Sequence, residues 1–204
     1  MRSNILSICR EMLAELGYEG VTMRDLAKRC GVAVTTLYDA HGSKEQLVVD
    51  AVEERALMVF RGLEKARTAA GLDHVFDIME KQTEAILETP SYARAIAPIV
   101  AANPGSFEIG VVFRRLMARA VEEIAEAGDL AEWAEVAVVC QLIQLEAMTM
   151  HQAWANGAFS SDDFLDFNIL AVCHALGNVT RGTTRDRIQD RHHQIFSRLR
   201  KWKV

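Results

Sequence analysis

Lys44 lies at a position where its side chain is expected to interact with another chemical group. Ser43 and Gln46 have the S-x-x-Q spacing of a capping box, which predicts that a helix begins just after Gly42. Lys44 then lies in the first helical turn, where its positive charge opposes the helix dipole. A phosphate beside this helix end would remove the conflict, so the position is compatible with nucleic-acid binding. A solvated surface lysine is the alternative interpretation.

Histidines and cysteines are the other candidates for chemistry, but their spacing favours no catalytic or metal site. His151 and His174 fall on two successive predicted helices, and Glu146 lies five residues before His151, off its helical face. The sequence has no H-x-x-x-H, E-x-x-H, G-x-S-x-G or glycine-rich phosphate loop. The cysteines are dispersed without a C-x-x-C pair, which favours buried thiols: they are Cys9, Cys30, Cys140 and Cys173. We therefore predict a protein that is not an enzyme and has no metal or cofactor.

The elements that would position Lys44 form two short helices joined by a tight turn. The segment of 26 residues reads TMRDLAKRCGVAVTTLYDAHGSKEQL. Thr22 is a candidate N-cap, with Asp25 three residues later. Gly31 can adopt the left-handed conformation that a sharp turn needs. The second helix is expected over about residues 34–40 with Leu37 inward, and a short helix held in this way fits a DNA major groove.

The segment resembles the DNA-binding domain of TetR-family transcriptional repressors. The resemblance covers about the first 50 residues, and the rest of the chain agrees only in general character. The matching parts are Gly17-Tyr18, Thr22, Gly31-Val32, Thr36-Leu37-Tyr38 and Ser43-Lys44-Glu45 with Leu47. The resemblance implies an all-α fold. A three-helix helix-turn-helix domain would occupy residues 1–46, and a helical ligand-binding and dimerisation domain residues 47–204.

The resemblance also implies which residues contact DNA. Phosphate contacts fix the register of a protein without reading sequence, and they are expected from Thr22, Thr36, Tyr38 and Lys44. Base edges or a thymine methyl are expected to be read by Val34 and Thr35, with Arg24 as a further candidate.

Two departures from the family pattern affect the recognition helix. The family often has Ser and Gly near the start of this helix, where the chain has Ala33 and Thr35. It usually has Phe just before the Ser-Lys-Glu step, where the chain has Ala40 and then His41. His41 could pack its ring in place of the aromatic residue, contact a phosphate, or lie exposed in a loop. We include it among the candidate DNA-binding residues.

Charge is unevenly distributed along the chain. The net charge of −5 divides into −1 over residues 1–50, −10 over residues 51–180 and +6 over residues 181–204. Because residues 1–50 are nearly neutral, they would bind DNA through a few individually positioned side chains and not through a broad basic surface. The basic C-terminal segment is either a second nucleic-acid patch or an amphipathic helix. We favour the helix, with apolar positions Ile188, Ile195, Phe196 and Leu199.

No segment indicates membrane insertion or export. No apolar run exceeds five residues, and a run such as residues 136–140 is far shorter than the roughly 18 residues that cross a bilayer. The N-terminus begins an amphipathic helix and lacks the apolar core of a signal peptide. We therefore expect a cytoplasmic protein with no membrane partner.

The remaining three quarters of the chain have helical periodicity throughout. A long helix from Lys44 to about Ala70 is expected to connect the two domains. Prolines break or start helices, so Pro90, Pro98 and Pro104 predict a jointed stretch that can leave a cavity. A further helix is expected from Phe107 to Ala127.

Two long apolar segments near the C-terminus predict a helical hairpin. Residues 131–155 are apolar nearly all round, which predicts a helix buried on all sides. Ser160 is expected to cap a second helix that runs to about Asn178. A hairpin of this kind forms a four-helix bundle with a copy of itself. By resemblance, a homodimer would form through the helices near 131–156 and 161–178; packing inside a monomer is the alternative.

These expectations combine into one functional hypothesis, a repressor of palindromic operators that is released by a small apolar or amphipathic ligand. A dimer carries two recognition helices related by a twofold axis, which read a palindrome in double-stranded DNA. A small molecule in the regulatory core would move the connecting helix. Candidate lining residues are Met79, Phe107, Phe113, Met117, Trp133, Gln144, Met148, His151 and Trp154.

Alternatives stay open at this point. The chain could be an all-α small-molecule-binding protein or enzyme with a merely structural N-terminal motif. It could also be a DNA-binding protein without a ligand, controlled through another protein. The sequence does not distinguish a repressor from an activator, and it identifies neither the effector nor the operator.

Overall fold

The computed structural model describes residues 2–102 and 108–199, so Pro104 and Phe107 lie outside the described residues. Over these two ranges the chain is all-α, as predicted, apart from one bridge between Leu130 and Thr180. The helices are α1 Arg2–Gly20, α2 Met23–Cys30, α3 Val34–His41, α4 Lys44–Lys65, α5 Gly71–Leu87, α6 Pro90–Ala102, α7 Glu108–Glu126, α8 Val136–Ala155, α9 Ser161–Gly177 and α10 Gly182–Leu199.

In the described ranges, no helix combines the length and the apolar content that crossing a bilayer requires.

Helix α2 begins and ends where the sequence predicts. The backbone N–H of Asp25 donates to the Thr22 hydroxyl at 3.1 Å, so Thr22 caps α2. Gly31 ends α2 with a φ of 68°, in the left-handed region that glycine enters at little cost. The chain then turns into α3, whose Leu37 is buried.

The start of α4 is as predicted, but two details of this helix differ. Ser43 accepts a hydrogen bond from the backbone N–H of Gln46, yet the Gln46 side chain donates to Asp50 and does not return to Ser43. Only half of the predicted capping box is therefore formed. The helix also ends at Lys65, earlier than the predicted Ala70.

Polar contacts of the turn after α4 account for its early end. Arg67 donates to the carbonyl of Ala69 and pairs with Glu123 of α7. Glu123 also accepts a hydrogen bond from the backbone N–H of Gly71, the first residue of α5, at 2.8 Å. These contacts satisfy backbone groups of a turn in place of further helical bonds.

Helix α4 contributes to two hydrophobic cores. The N-terminal core joins α1, α2 and α3 to the first turns of α4, including Val52, and also contains Tyr92 and Ile96 of α6. The larger core joins α4, α5, α7, α8, α9 and α10 and includes Phe60 of α4. Hydrophobic contacts therefore cross the boundary that we predicted after residue 46, and that boundary stays a prediction.

The proline-containing stretch is less jointed than predicted. Pro90 begins α6, a position where its missing N–H costs nothing. Pro98 lies inside the same helix, which continues to Ala102. The prediction that Pro98 interrupts the helix was wrong, because an interior proline removes one helical hydrogen bond without always ending the helix.

The predicted hairpin is present as α8 and α9, which pack against each other. The first helix begins at Val136 and not at residue 131. It is also not buried on all sides in the single chain, because Val138, Leu142 and Leu145 are 58%, 44% and 46% exposed. One apolar face of α8 packs inside the subunit, while another faces outward.

The basic C-terminal segment forms the predicted amphipathic helix over its described part. Ile188 and Ile195 of α10 are buried, whereas Phe196 is exposed, contrary to its predicted place on the apolar face. Three arginines of α10 pair with carboxylates of α5 and α9. These pairs are Arg187–Asp73, Arg191–Glu80 and Arg198–Asp166. Because they hold α10 on acidic partners, the structure supports a docked helix over a free nucleic-acid patch.

Candidate nucleic-acid interface and ligand cavity

The recognition helix α3 is buried on one side and exposed on the other. Leu37 is fully buried in the N-terminal core. Thr35 is exposed and Tyr38 is 49% exposed, while Val34 and Thr36 are half-buried. Helical periodicity produces this arrangement, because residues one or two positions from an inward residue cannot share its face. The predicted base and phosphate contacts of α3 therefore remain accessible.

The predicted phosphate contacts outside α3 lie at the beginnings of α2 and α4. Thr22 and Arg24 are exposed. The Thr22 hydroxyl also donates to the carboxylate of Asp25 at 2.6 Å. A phosphate at this position would have to share or replace that local bond.

Lys44 has an aromatic partner that the sequence interpretation overlooked. Its Nζ lies 4.0 Å from the ring centroid of Tyr18, a cation–π geometry. The Tyr18 hydroxyl donates to Glu45 at 3.1 Å. The pair holds the lysine at the start of α4 and offsets part of its conflict with the helix dipole. The sequence signal for this role is an aromatic residue directly after Gly17, which kinks α1 with a φ of 68°.

His41 is not available to DNA. Its side chain is 0% exposed, and Nδ1 lies 2.6 Å from the carboxylate of Asp50 in α4. The inclusion of His41 among the DNA-binding residues was therefore wrong, because a ring enclosed by the domain cannot reach a phosphate. The packing alternative holds instead: His41 joins the end of the recognition helix to α4.

Asp50 collects several partners around this joint. Besides His41, it accepts a hydrogen bond from Gln46 at 2.9 Å and pairs with Arg2 at 3.3 Å. Burial by itself raises the pKa of the Asp50 carboxyl, but the bonds from Gln46 and His41 and the nearby positive charges outweigh it. The net result is a pKa below the usual range.

A mainly apolar cavity of about 160 Å³ lies among α4, α5, α6, α7 and α8. Four predicted ligand residues line it: Phe113, Gln144, Met148 and His151. Most of the other lining residues are aliphatic or aromatic, among them Val52, Val59, Phe60, Ile86, Ile96 and Ile109. The wall thus offers a place for an apolar ligand body.

Four other predicted ligand residues that the structure describes lie elsewhere. Met79 and Met117 are buried in the larger core and do not line the cavity. Trp154 is also buried, with its ring stacked on Phe164 at a centroid distance of 4.9 Å. Trp133 is 72% exposed, because it precedes α8 in a turn where we predicted helix. Helical periodicity identifies buried residues but cannot tell a cavity wall from a filled core.

The cavity wall also contains polar atoms without partners. The side-chain oxygen of Gln82, the hydroxyl of Tyr92 and Nε2 of His151 are buried, and the described part of the protein provides none of them with a hydrogen bond. Unsatisfied buried polar atoms are uncommon, and a water, an ion or a ligand group can satisfy them. Gln82 and Tyr92 were not predicted, since neither belongs to a recognisable motif.

His151 and His174 do not form the acid–base or metal pair that their positions on α8 and α9 made conceivable. His151 lines the cavity, whereas the His174 side chain is 76% exposed and lies 3.1 Å from Glu146. Within residues 2–102 and 108–199, no three His, Cys, Asp or Glu side chains form a group that could hold a metal ion.

His41→Ala is expected to lower the free energy of unfolding by about 2 kcal/mol, since it removes a buried ring and a hydrogen-bond partner of Asp50. Urea denaturation followed by circular dichroism measures this change. The exposed His193 in α10 provides a matched control, and His193→Ala should change stability by less than about 0.5 kcal/mol. Equal effects of the two substitutions would contradict the buttressing role.

His151 should make the protein less stable in mild acid. Burial lowers its pKa from 6.5 to about 4, so between these values the unfolded chain binds a proton that the folded chain does not. Stability from this residue is therefore present at neutral pH and declines as the pH falls. Lowering the pH from about 7.5 to about 5 should cost roughly 2 kcal/mol through His151. His151→Leu should remove that part of the loss in urea titrations, whereas an unchanged pH dependence would contradict the assignment.

Comparison with known proteins gives a family for the N-terminal part. The family model for bacterial regulatory proteins of the tetR family matches residues 5–51. The uncharacterized HTH-type transcriptional regulator YezE of Bacillus subtilis (strain 168) is 42% identical over 43 residues. That match spans 21% of this chain and 22% of the length of YezE.

Solved structures extend the likeness to most of the chain. SmeT, the repressor of the Stenotrophomonas maltophilia multidrug efflux pump SmeDEF, has a TM-score of 0.68 and 19% identity, over 90% of this chain and 92% of SmeT. A TetR regulator from Rhodococcus sp. RHA1 has a TM-score of 0.64 and 23% identity, over 83% and 93%. FadR from Bacillus subtilis, solved with stearoyl-CoA, has a TM-score of 0.65 and 18% identity, over 83% and 96%. At these identities the likeness concerns the fold.

The family match of the N-terminal part and the fold likeness of the longer chain are separate observations. Residues 5–51 match the family model and contain the capped helices, the left-handed turn and the exposed face of α3. The arrangement of the described helices resembles that of solved regulators over 83% to 90% of the chain. Residues 5–51 therefore match the tetR family of bacterial regulatory proteins, and the described helices share the fold of the solved regulators.

Proposed function

We propose that the protein is a ligand-responsive transcriptional repressor that binds palindromic DNA as a homodimer. The observation that supports this most directly is the form of α3, a short helix fixed from below by Leu37 and His41 while Thr35 and Tyr38 face outward. An exposed helix with rigid support can enter a major groove without rearrangement. The proposal assigns no catalytic step to the chain and places it with DNA in the cytoplasm.

In this proposal the DNA contacts divide into two kinds. Thr22, Thr36, Tyr38 and Lys44 would bind phosphates and so set the register of α3. Val34, Thr35 and Arg24 would contact base edges. The N-terminal 50 residues have a net charge of only −1. Non-specific attraction to DNA would then be weak, and affinity would depend on these placed groups.

Dimerisation would use the outward apolar face of α8 together with α9. Val138, Leu142 and Leu145 are exposed in the single chain, and a cluster of large apolar side chains of this kind is costly in water. A second copy related by a twofold axis would bury the same face on both subunits. Both recognition helices would then address two halves of a palindrome.

The cavity is the proposed effector site, and the shared core residues suggest how it would act. Val52, Tyr92 and Ile96 line the cavity and also belong to the N-terminal core that supports the DNA-binding helices. A ligand that moved α4 or α6 would therefore displace residues packed on α1. Binding controls DNA affinity only if the ligand prefers one of the two conformations.

Two relatives give this proposal context. SmeT is the repressor of a multidrug efflux pump, and FadR was solved in complex with stearoyl-CoA. A regulator without a ligand is less compatible with the apolar cavity found here. The alternative of an all-α ligand-binding protein with a structural N-terminal motif predicts no DNA sequence preference.

Lys44→Ala and Tyr38→Ala should each weaken binding to a duplex enriched from random DNA by roughly tenfold. Lys44→Ala should also reduce the salt dependence of binding by about one ion, because it removes one phosphate contact. Fluorescence anisotropy at several salt concentrations measures both effects. Lys65→Ala, an exposed lysine at the end of α4, is the matched control and should leave affinity unchanged. Retained affinity in both test variants would refute the proposed interface.

Leu142→Glu and Leu145→Glu should convert the dimer into monomers, since each places a charge in the proposed apolar interface. Sedimentation velocity measures the assembly state. Met58→Glu introduces the same charge at another exposed apolar residue and should leave the dimer intact. A wild-type chain that sediments as a monomer, or variants that remain dimeric, would count against α8 as the interface.

A further inference from the structure

The polar atoms in the cavity wall restrict the chemistry of the effector. This inference rests on the proposed function, in which the cavity is the effector site. Tyr92 is only 8% exposed and its hydroxyl has no partner among the described residues. The Gln82 oxygen and His151 Nε2 are likewise buried without a hydrogen bond there. A ligand that satisfied such atoms would gain affinity, because an unpaired buried polar group is costly.

His151 supplies a hydrogen-bond acceptor. Its ring already hydrogen-bonds the backbone of Ala93 in α6, and Nε2 is the ring nitrogen left without a partner. Burial lowers the pKa of the ring to about 4, so the ring is neutral near pH 7. A neutral ring that donates through Nδ1 presents a lone pair at Nε2. The complementary ligand group is therefore a donor such as a hydroxyl.

The charge and size of the cavity further restrict the class of ligand that it can bind. Arg55, a cation in the wall, is already paired with Glu88, so an anionic ligand would have to compete with that carboxylate. The volume of about 160 Å³ is close to the roughly 150 Å³ of an engineered apolar cavity that binds benzene. One substituted aromatic ring is of suitable size.

We propose that the cavity binds a neutral, mainly apolar molecule of about the size of one substituted aromatic ring, whose hydroxyl donates to Nε2 of His151. Aliphatic and aromatic residues of the wall enclose the ring. The unpaired groups of Tyr92 and Gln82 provide partners for a second polar substituent. Phenols and benzyl alcohols belong to this class.

The test compares two probes that differ only in a hydroxyl and a methyl group, p-cresol and p-xylene. In isothermal titration calorimetry with the full chain, p-cresol should bind about tenfold more tightly than p-xylene. This is the expected effect of one net hydrogen bond on the dissociation constant. In His151→Leu this preference should disappear while p-xylene still binds, which also shows that the variant is folded. Tyr92→Phe should keep the preference, because the hydroxyl of Tyr92 is not the acceptor assigned to the probe.

His74→Leu is the matched control. His74 is buried, has an unpaired Nδ1 and does not line the cavity, so its replacement should leave the preference for p-cresol intact. The inference is overturned if the wild type binds p-xylene as tightly as p-cresol, or if it binds neither at millimolar concentration. It is also overturned if the preference survives in His151→Leu, or if p-toluate, the anionic analogue, binds more tightly than p-cresol.

Operator binding is measured separately, so that the two proposals can fail independently. Binding of p-cresol that depends on His151 but leaves operator affinity unchanged would support the ligand class and refute the ligand response. Release of DNA by p-toluate and not by p-cresol would support a ligand response and refute the neutral hydroxyl compound.

Discussion

Helix α3 is too short to be stable by itself, and this constraint governs the N-terminal end of the molecule. It has eight residues, far fewer than an isolated helix needs to be stable in water. Its conformation therefore depends on tertiary contacts, and these must leave its outer face free. Leu37 supplies the apolar contact, and the His41–Asp50 bond fastens the C-terminal end to α4. Asp50 is itself held by Gln46 and Arg2, so the joint includes three elements.

The same helices that support α3 also form walls of the cavity. Val52 in α4 and Tyr92 and Ile96 in α6 pack into the N-terminal core and line the ligand space at once. A change in the cavity therefore has a physical route into the N-terminal core that supports α3, through side chains that belong to both. For such coupling, the ligand needs only to bind more tightly to one of two conformations in which these helices are placed differently.

Most features that could be predicted from the sequence were helix ends and turns, which depend on short-range signals. Caps at Thr22, Ser43 and Ser160 and the left-handed turn at Gly31 are short-range features, and the structure contains all of them. Long-range features were harder to predict. The partner of His41 lies nine residues away across a turn, and Tyr92 and Gln82 reach the cavity only because several helices converge there. The helix predictions at residues 131–135 and at Pro98 failed. Apolar content and proline constrain helix ends only weakly, because tertiary packing can override them.

Interference footprinting on a duplex enriched from random DNA tests most directly whether α3 enters the major groove twice per assembly. Guanine N7 faces the major groove, so its methylation blocks a helix that lies there. If α3 does so, two symmetric clusters of interfering guanines are expected, with centres separated by one or more helical turns of about 10 base pairs. A single cluster, or binding that tolerates N7 methylation throughout the site, would contradict this placement of α3.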